Sequence, residues 1–350
     1  MKKRLFLILL CALLLWGCAI TPKPAPTQAP SALDSLFTVH FIDVGQADSA
    51  LLAFDGKYIL IDGGNVEDSS LVVSYLQRQG VEELEAVICS HAHEDHVGGL
   101  PGVLAVFPTK AVYAPTRTYS SNCFDDFLYY TDQQRLEVTI PSPGDTISFG
   151  DVTLQVLGPV KSYADTNDTS LVILATYGST RFLFTGDMEQ KAEGDMLDYW
   201  GENFDWRADV LKVGHHGSET STGYRFLREV MPTYGIISVG EGNTYGHPDE
   251  APLSRLEQAG VQIFRTDKLG SIITSSNGTV VTVTWHNTSA NPQLPTEGEP
   301  DAETFIGNKN SHILHLPGCS SLPKEENQVT FHDYDEAITA GYRPCGKCME

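Results

Sequence analysis

The chain predicts a mixed α/β fold, and three observations carry that expectation. Short apolar runs of strand length recur throughout, bounded by Gly, Asp and Asn. Stretches long enough for helices alternate with them. Two breaker-rich segments, Thr21 to Ser35 and Asn287 to Glu303, set off about 250 residues, enough for one sizeable core.

Taken in order, Thr38-Val-His-Phe-Ile-Asp-Val and Ala50-Leu-Leu-Ala-Phe read as neighbouring strands, with Tyr58-Ile-Leu-Ile-Asp-Gly-Gly as a third. Leu71 to Gln79 suits a helix that ends at Gly80. Leu84, Ala86, Val87 and Ile88 form an apolar run with the character of a buried strand. After Gly98-Gly-Leu-Pro-Gly, strands recur at Val152 to Leu157, Ser170 to Ala175 and Arg181 to Thr185. A helix near Glu189 to Trp200 leads to a strand at Asp209 to Val213, a helix at Tyr224 to Val230 and a strand at Gly235 to Val239. Gln262 to Arg265, Ser271 to Thr274 and Val280 to Trp285 close the series. The pattern divides into two strand-rich halves.

The start reads as a targeting segment. Lys2, Lys3 and Arg4 precede an apolar stretch, Leu5 to Trp16, that is too short to span a bilayer comfortably. With Leu15-Trp16-Gly17-Cys18 behind it, the segment resembles a bacterial lipoprotein signal over residues 1–18, which implies that Cys18 becomes the lipidated N-terminus and holds the chain at a membrane. An uncleaved anchor and an ordinary secretory signal are the other readings, since Trp16 is bulky for its place. All three put the remainder outside the cytoplasmic membrane. Residues 19–35 then form a Pro-rich tether, 36–286 the large domain, 287–303 a linker and 304–350 a small module.

The formal net charge is −22, from 45 Asp+Glu against 23 Lys+Arg. A surface this acidic repels nucleic acid and anionic membranes except where metal ions or basic patches reverse the field. No basic run follows the signal, which argues against tight, metal-independent nucleic-acid binding. Seven cysteines, three of them clustered at the C-terminus, do not make an exported disulfide scaffold. Cys89 reads as a small buried apolar residue and Cys123 as part of a loop.

Directly after the apolar run at Leu84 to Ile88 comes Cys89-Ser-His-Ala-His-Glu-Asp-His-Val-Gly-Gly. Four potential metal ligands, His91, His93, Asp95 and His96, fall within six residues. On extended chain, side chains two apart point the same way, so His91 and His93 can grip one ion together. A turn at Glu94 would aim Asp95 and His96 at a second ion. The bland reading is a solvated His-rich loop.

This run does not stand alone. Phe41-Ile-Asp-Val-Gly-Gln-Ala-Asp-Ser, Leu60-Ile-Asp-Gly-Gly, Asn167-Asp-Thr-Ser-Leu-Val, Leu183-Phe-Thr-Gly-Asp, Leu211-Lys-Val-Gly-His-His-Gly-Ser, Tyr245-Gly-His-Pro and Arg265-Thr-Asp accompany it in order. Together, from about Phe37 to Trp285, they resemble the metallo-β-lactamase superfamily, and more narrowly the extracytoplasmic hydrolase domain of ComEC-type competence proteins. The resemblance implies an α/β architecture of the αβ/βα sandwich type. Ala47 departs from it, since Gly is usual there, and the membrane-channel part of those proteins is absent, so DNA transport is not implied.

By the same resemblance Asp187 bridges two divalent metal ions, zinc or manganese, and His247 completes the second site. Of His215 and His216, we expect His215 to complete the first site and His216 to serve as proton donor or phosphate contact. Asp95 and His216 are the expected catalytic groups. The family's further His before the bridging Asp is missing, and Asn167, a weaker ligand, stands in that region. Asp62 is expected to steady the ligand loop, and Ser218 to support it or touch substrate. Taken alone, Asp187 suits a helix N-cap, His247 a turn before Pro248, Asp62 a turn former, and Asp43 and Asp48 structural loop positions. Two ions about 3.5–4 Å apart lower the pKa of a shared water to near neutrality and clamp a phosphoryl or carbonyl oxygen. No Gly-x-Ser-x-Gly elbow offers a rival nucleophile.

In the last segment, His315, Cys319, Cys345 and Cys348 have the spacing of a zinc site, which would give this short module the stability its small core lacks. Phe305 to Cys348 resembles the metal-binding domain of Ada-type DNA repair proteins. In that family the first ligand is a methyl-accepting cysteine. Here it is His315, so one structural zinc is expected and alkyl transfer is not. His312 fits the spacing less well.

The sequence thus predicts an exported, membrane-anchored metal-dependent hydrolase whose substrate is a phosphodiester, with DNA as one candidate. A phosphodiesterase acting on wall polymers such as teichoic acid or its phosphorylcholine is the second enzyme reading, and a non-enzymatic surface binding protein the third. Protein partners are not specified.

Overall fold

The computed structural model describes residues 35–286 and, further on, residues 305–316, 319, 321–331, 337, 340–345 and 347. Cys18 with the rest of the predicted signal, nearly all of the tether, the linker and Cys348 lie outside the described residues. The chain divides into two compact units at residue 291. Among the described residues, no helix is long and apolar enough to cross a membrane.

In chain order the large unit begins with β1 (Phe37–Phe41), β2 (Ala50–Phe54), β3 (Lys57–Ile61), α1 (Ser69–Arg78) and β4 (Ala86–Ile88). Then come α2 (Glu94–Val97), α3 (Leu100–Val106), β5 (Val112–Tyr113), α4 (Asn122–Gln133) and β6 (Val138–Thr139). The second half holds β7 (Thr146–Phe149), β8 (Val152–Gly158), β9 (Val172–Tyr177), β10 (Thr180–Phe184), α5 (Gln190–Trp200) and β11 (Val210–Lys212). It continues with α6 (Tyr224–Val230), β12 (Tyr234–Ile237), α7 (Glu250–Gln258), β13 (Gln262–Arg265) and α8 (Thr266–Leu269). Finally β14 (Ser271–Ser276) and β15 (Val281–His286) return to the first half.

These strands make two sheets, ordered β15-β14-β1-β2-β3-β4-β5-β6 and β13-β12-β11-β10-β9-β8-β7. The pleat explains how they stack, because alternate side chains leave opposite faces. Phe37, Val39 and Phe41 of β1 and Ile59 and Ile61 of β3 meet Phe182 and Phe184 of β10 in one apolar core between the sheets. Phe37 meets Phe182 edge-on at 5.0 Å, and Phe41 stacks with Phe184 at 6.0 Å. The intervening Leu51, Leu60 and Val87 turn outward onto α1, α3 and α4. Leu183, Leu211 and Ile237 likewise turn outward onto α5, α6 and α7. The result is helix, sheet, sheet, helix: the αβ/βα sandwich.

Most predicted elements are present with their ends shifted by a few residues. Three differences have physical causes. Cys123 is not in a loop but buried on α4, where Cys123, Phe124 and Phe127 make a helical apolar stripe and Ser121 caps the N-terminus by accepting from Phe124 N at 3.3 Å. Strands β5 and β6 are two residues each, too short to leave an alternation in the sequence. Helix α7 is only nine residues and mostly polar, with Pro252 near its start.

The second unit is a four-stranded sheet of β16 (Phe305–Asn308), β17 (Ile313–His315), β18 (Gln328–Phe331) and β19 (Arg343–Pro344), ordered β18-β16-β17-β19. Its buried apolar residues among those described are Phe305, Leu314, Phe331 and Ala337, a core of the size that needs reinforcement.

Candidate metal centre

β3 and β4 run parallel in one sheet, as do β10, β11 and β12 in the other, so their C-terminal ends open onto a common rim. The loops there carry the polar residues of the predicted motifs. Two glycines let them meet backbone to backbone. A Cβ on Gly99 would stand 2.0 Å from the Gly63 carbonyl oxygen, and one on Gly98 2.4 Å from Val66 N. The Asp62-Gly63-Gly64 turn can therefore press against α2 and aim Asp62 at its histidines.

Asp62 is buried and fully engaged. Its Oδ2 accepts from His96 Nδ1–H at 2.9 Å and from Ser90 Oγ at 2.7 Å, and its Oδ1 accepts from Ser90 N at 2.7 Å. This fixes the His96 tautomer and turns Nε2 toward the rim. On the other sheet, His216 Nδ1–H donates to Ser238 O at 2.9 Å, which turns its Nε2 the same way.

Around those two nitrogens lies the cluster. Asp95, His96, Asp187 and His216 each offer one ligand atom, all within 4.8 Å of one another. His96 Nε2 is 3.3 Å from Asp187 Oδ1, and His216 Nε2 is 3.3 Å from Asp95 Oδ2 and 3.6 Å from Asp187 Oδ2. His91 and His93 lie beside them, His91 Nε2 being 3.1 Å from His93 Nδ1 and 4.0 Å from Asp187 Oδ2. His215 approaches the same carboxylate, Nε2 to Oδ2 3.7 Å. Asp187, 1 % exposed, is thus the group that four histidines share.

Two atoms of this cluster have no partner but each other. His96 Nε2 and Asp187 Oδ1 are buried, 3.3 Å apart, and bond no third group. Leaving such groups dry and short of partners costs about 1–3 kcal/mol each, so a nitrogen lone pair and a carboxylate oxygen aimed at one spot fit a divalent cation. The charges agree. Burial would lower the His96 pKa, yet Asp187, Asp62 and Asp95 raise it well above the ordinary value. Burial alone would raise the Asp187 carboxyl, but His96 and His216 hold it well below. Burial first, then His96, lowers His91 and keeps it a neutral ligand.

The histidine pair at 215 and 216 owes its placement to unusual backbone. Both residues have positive φ, 49° and 52°, between Gly214 and Gly217. Two successive non-Gly residues in the left-handed region are strained, at a cost of order 1–3 kcal/mol each. The twist sends the two rings different ways. His216, 2 % exposed, joins the buried four-residue cluster. His215 remains partly exposed, its Nδ1 3.3 Å from Thr220 Oγ1 and 3.4 Å from Glu189 Oε1. His247 borders the same cleft as Asp95 and Asp187, outside the tightest ligand group, its ring 5.8 Å from that of His215 and its Nδ1 3.4 Å from Asp249. Asn167 reaches His215 Nε2 at 3.5 Å through Nδ2, and its buried Oδ1 has no hydrogen-bond partner. Ser218 shapes the loop by bonding Thr220 rather than lining the cleft.

Sequence reasoning gave no role to Lys212 and only a loop position to Asp48. Lys212 lies in register with Val210 on the inner face of β11 and is 4 % exposed. Its Nζ contacts Asp48 Oδ2 at 2.9 Å and donates to Val213 O at 2.9 Å. Asp48, taken as a loop position, is a buried ion-pair partner that also approaches His216 Nδ1 at 3.6 Å. A lysine ending an apolar strand was the available signal. The cleft above the cluster is about 620 Å³ and borders Asp95, Asp187, His215, His216 and His247.

In the small unit His315, Cys319 and Cys345 bring ligand atoms within 4.8 Å of one another, with His315 Nδ1 3.4 Å from Cys319 Sγ. His312 lies against Tyr342 instead, ring centroids 4.9 Å apart.

Comparison with known proteins identifies the families of both units. Residues 42–241 match the metallo-beta-lactamase superfamily, and residues 296–350 match the metal binding domain of Ada. ComE operon protein 3 of Bacillus subtilis is 30 % identical over 69 % of this chain and 33 % of its own length. Competence protein ComA of Neisseria gonorrhoeae is 31 % identical over 66 % of this chain and 31 % of its own. The chain therefore spans about a third of these curated relatives. Among solved structures, the metallo-beta-lactamase fold protein YhfI of Bacillus subtilis aligns with a TM-score of 0.48 at 14 % identity, covering 69 % of this chain and all of that one.

Proposed function

The chain belongs to the metallo-beta-lactamase superfamily of metal-dependent hydrolases, and on that premise we propose that it is an exported, lipid-anchored phosphodiesterase with a dinuclear centre. The observation that carries this reading is the pair of buried atoms, His96 Nε2 and Asp187 Oδ1, 3.3 Å apart within a nest of imidazoles and carboxylates. Asp95, His96, Asp187 and His216 would hold one ion, and His91 and His93, beside Asp187, would hold a second. This reverses the expected roles of the 215/216 pair, because the buried His216 lies with the ligands and His215 faces the cleft.

Zinc or manganese bound there would supply Lewis acidity, ionising a water and stabilising charge on a phosphoryl oxygen. The rest falls to the chain. Asp62 and Ser238 O keep His96 and His216 in the ligating tautomer. His215, oriented by Glu189 and Thr220, carries a proton to the leaving oxygen. Burial of the cluster excludes competing water and strengthens each charge interaction. Cys18 tethers the enzyme through residues 19–35, and His315, Cys319, Cys345 and Cys348 hold one structural zinc.

The competence relatives make nucleic acid one candidate substrate. A wall-polymer phosphodiesterase is favoured by a different observation: no Lys or Arg borders the cleft. The test is hydrolysis of bis-p-nitrophenyl phosphate by the full chain, first stripped of metal and then reloaded with zinc or manganese. Turnover only after reloading is expected. A reloaded, folded and inert protein would leave the surface-binding reading.

A further inference from the structure

A buried charge pair lies behind the metal centre, and the hydrolytic chemistry gives it no task. Asp48 and Lys212 come from the two different sheets and meet at 2.9 Å, both closed off from solvent, and neither borders the cleft. Each belongs to a segment that carries ligands. Asp48 N donates to Asp95 O at 3.0 Å, and Asp48 O accepts from Gly64 N at 2.8 Å. Its backbone thus joins the α2 ligands to the turn that holds Asp62. On the other side, Lys212 O accepts from Thr185 Oγ1 at 2.9 Å, just ahead of Asp187 in the chain, and Lys212 itself leads into the His215-His216 segment.

The pairing secures the position of the Asp48 carboxylate. Its Oδ2 is 3.9 Å from His96 Nδ1, and its Oδ1 is 3.6 Å from His216 Nδ1. Those ring nitrogens lie opposite the Nε2 atoms that turn toward the rim. One carboxylate therefore stands behind two imidazoles that different sheets supply. Negative charge behind a ligating imidazole strengthens its donor nitrogen and steadies the ring. Asp48 Oδ1 is buried and accepts no hydrogen bond, so its charge is not spent elsewhere. The space beside the pair is about 20 Å³, lined in part by Phe41, Ile61 and Phe184, which leaves room for about one water and little screening.

Lys212 answers a different need. Asp48, Asp62, Asp95 and Asp187 all gather around His96, and among the described residues Lys212 is the only Lys or Arg in an ion pair with any of them. Burying carboxylates with no compensating charge is costly, and the metal-free chain has no ions to offset them. Resting on the ligand assignment above, we propose that Asp48 is a positioning residue that backs His96 and His216 for ion binding, and that Lys212 is the resident cation that keeps it buried before ions arrive.

The test separates charge from scaffolding. Asp48→Asn, Lys212→Met and the double variant are compared with the parent full chain by cobalt(II) affinity in chelator competition, by the cobalt absorption spectrum and by melting of the metal-free protein. Asp48→Asn removes the charge behind the rings, so cobalt binding should weaken about 10–100-fold and the spectrum should change. Lys212→Met leaves that charge in place and should bind cobalt at least as tightly as the parent. Its metal-free melting temperature should fall by about 10 °C, since half of a buried pair is left uncompensated, and cobalt should restore most of the loss. The double variant should recover the melting temperature and keep the weakened affinity. Where Lys212→Met does not fold without metal, the double variant still decides. A plain strut predicts that affinity follows stability, so a double variant that regains both overturns the proposal. Parent-like affinity and spectrum in Asp48→Asn overturn it as well. A parent chain that takes up no cobalt removes the metal-centre reading, and this proposal with it.

Discussion

Asp187 is where one side chain matters most, since both ligand groups need its carboxylate while its own pKa is held down by the imidazoles around it. Asp187→Ala should therefore lose bound metal and turnover together, read by elemental analysis and rate on the same sample. His216→Ala and His215→Ala should split those readouts. The first should lose about one metal equivalent, and the second should keep both and lose about 10²–10⁴-fold in kcat. A loss of metal in His215→Ala alone would restore the roles read from the sequence. The motif at His91 to His96 was legible because its residue types are rare together. The 215/216 choice was not, since adjacent histidines differ only through backbone twist, and nothing in Gly-His-His-Gly fixes that twist in advance. Asp48 was legible only as a loop position for a related reason: its ion pair depends on Lys212, a distant residue in the other sheet.

Elements position these residues, and α5 shows how. Its Glu193 is buried and accepts from Thr222 N and Gly223 N, tying α5 to the loop after the histidine pair and to the start of α6. Burial pushes this carboxyl up to about 7 from an ordinary 4.5, the two N–H donors pulling the other way. The folded pKa lies above the unfolded one, so the proton-linked stability is full below about 4.5 and is lost as pH rises through about 7. Its size is about 3 kcal/mol. Thermal melts of Glu193→Gln against the parent should show the parent losing ground across that window; parallel curves would remove the buried-carboxyl account. Long elements such as β8 and α5 were readable from their periodicity, while β5 and β6 exist only because β4 and its neighbours offer an edge to extend.

At the scale of the whole molecule, two units with separate cores imply separate melting. The C-terminal unit has four buried apolar residues among those described and three converging zinc-type ligands, so its stability should reside in its metal. Cys345→Ser should lose one zinc equivalent and its low-enthalpy calorimetric transition, leaving the main transition unmoved. A main transition that shifts with it would show the units to be energetically joined. Composition announced the small unit through its cysteine spacing, but the sandwich became legible only through several motifs in order. No single strand discloses which sheet it will join.

The histidines and aspartates that meet in the large unit come from both sheets, from His91 on one side to His216 on the other. The full set of these side chains is assembled only when both halves have packed together, so complete metal loading should report that packing.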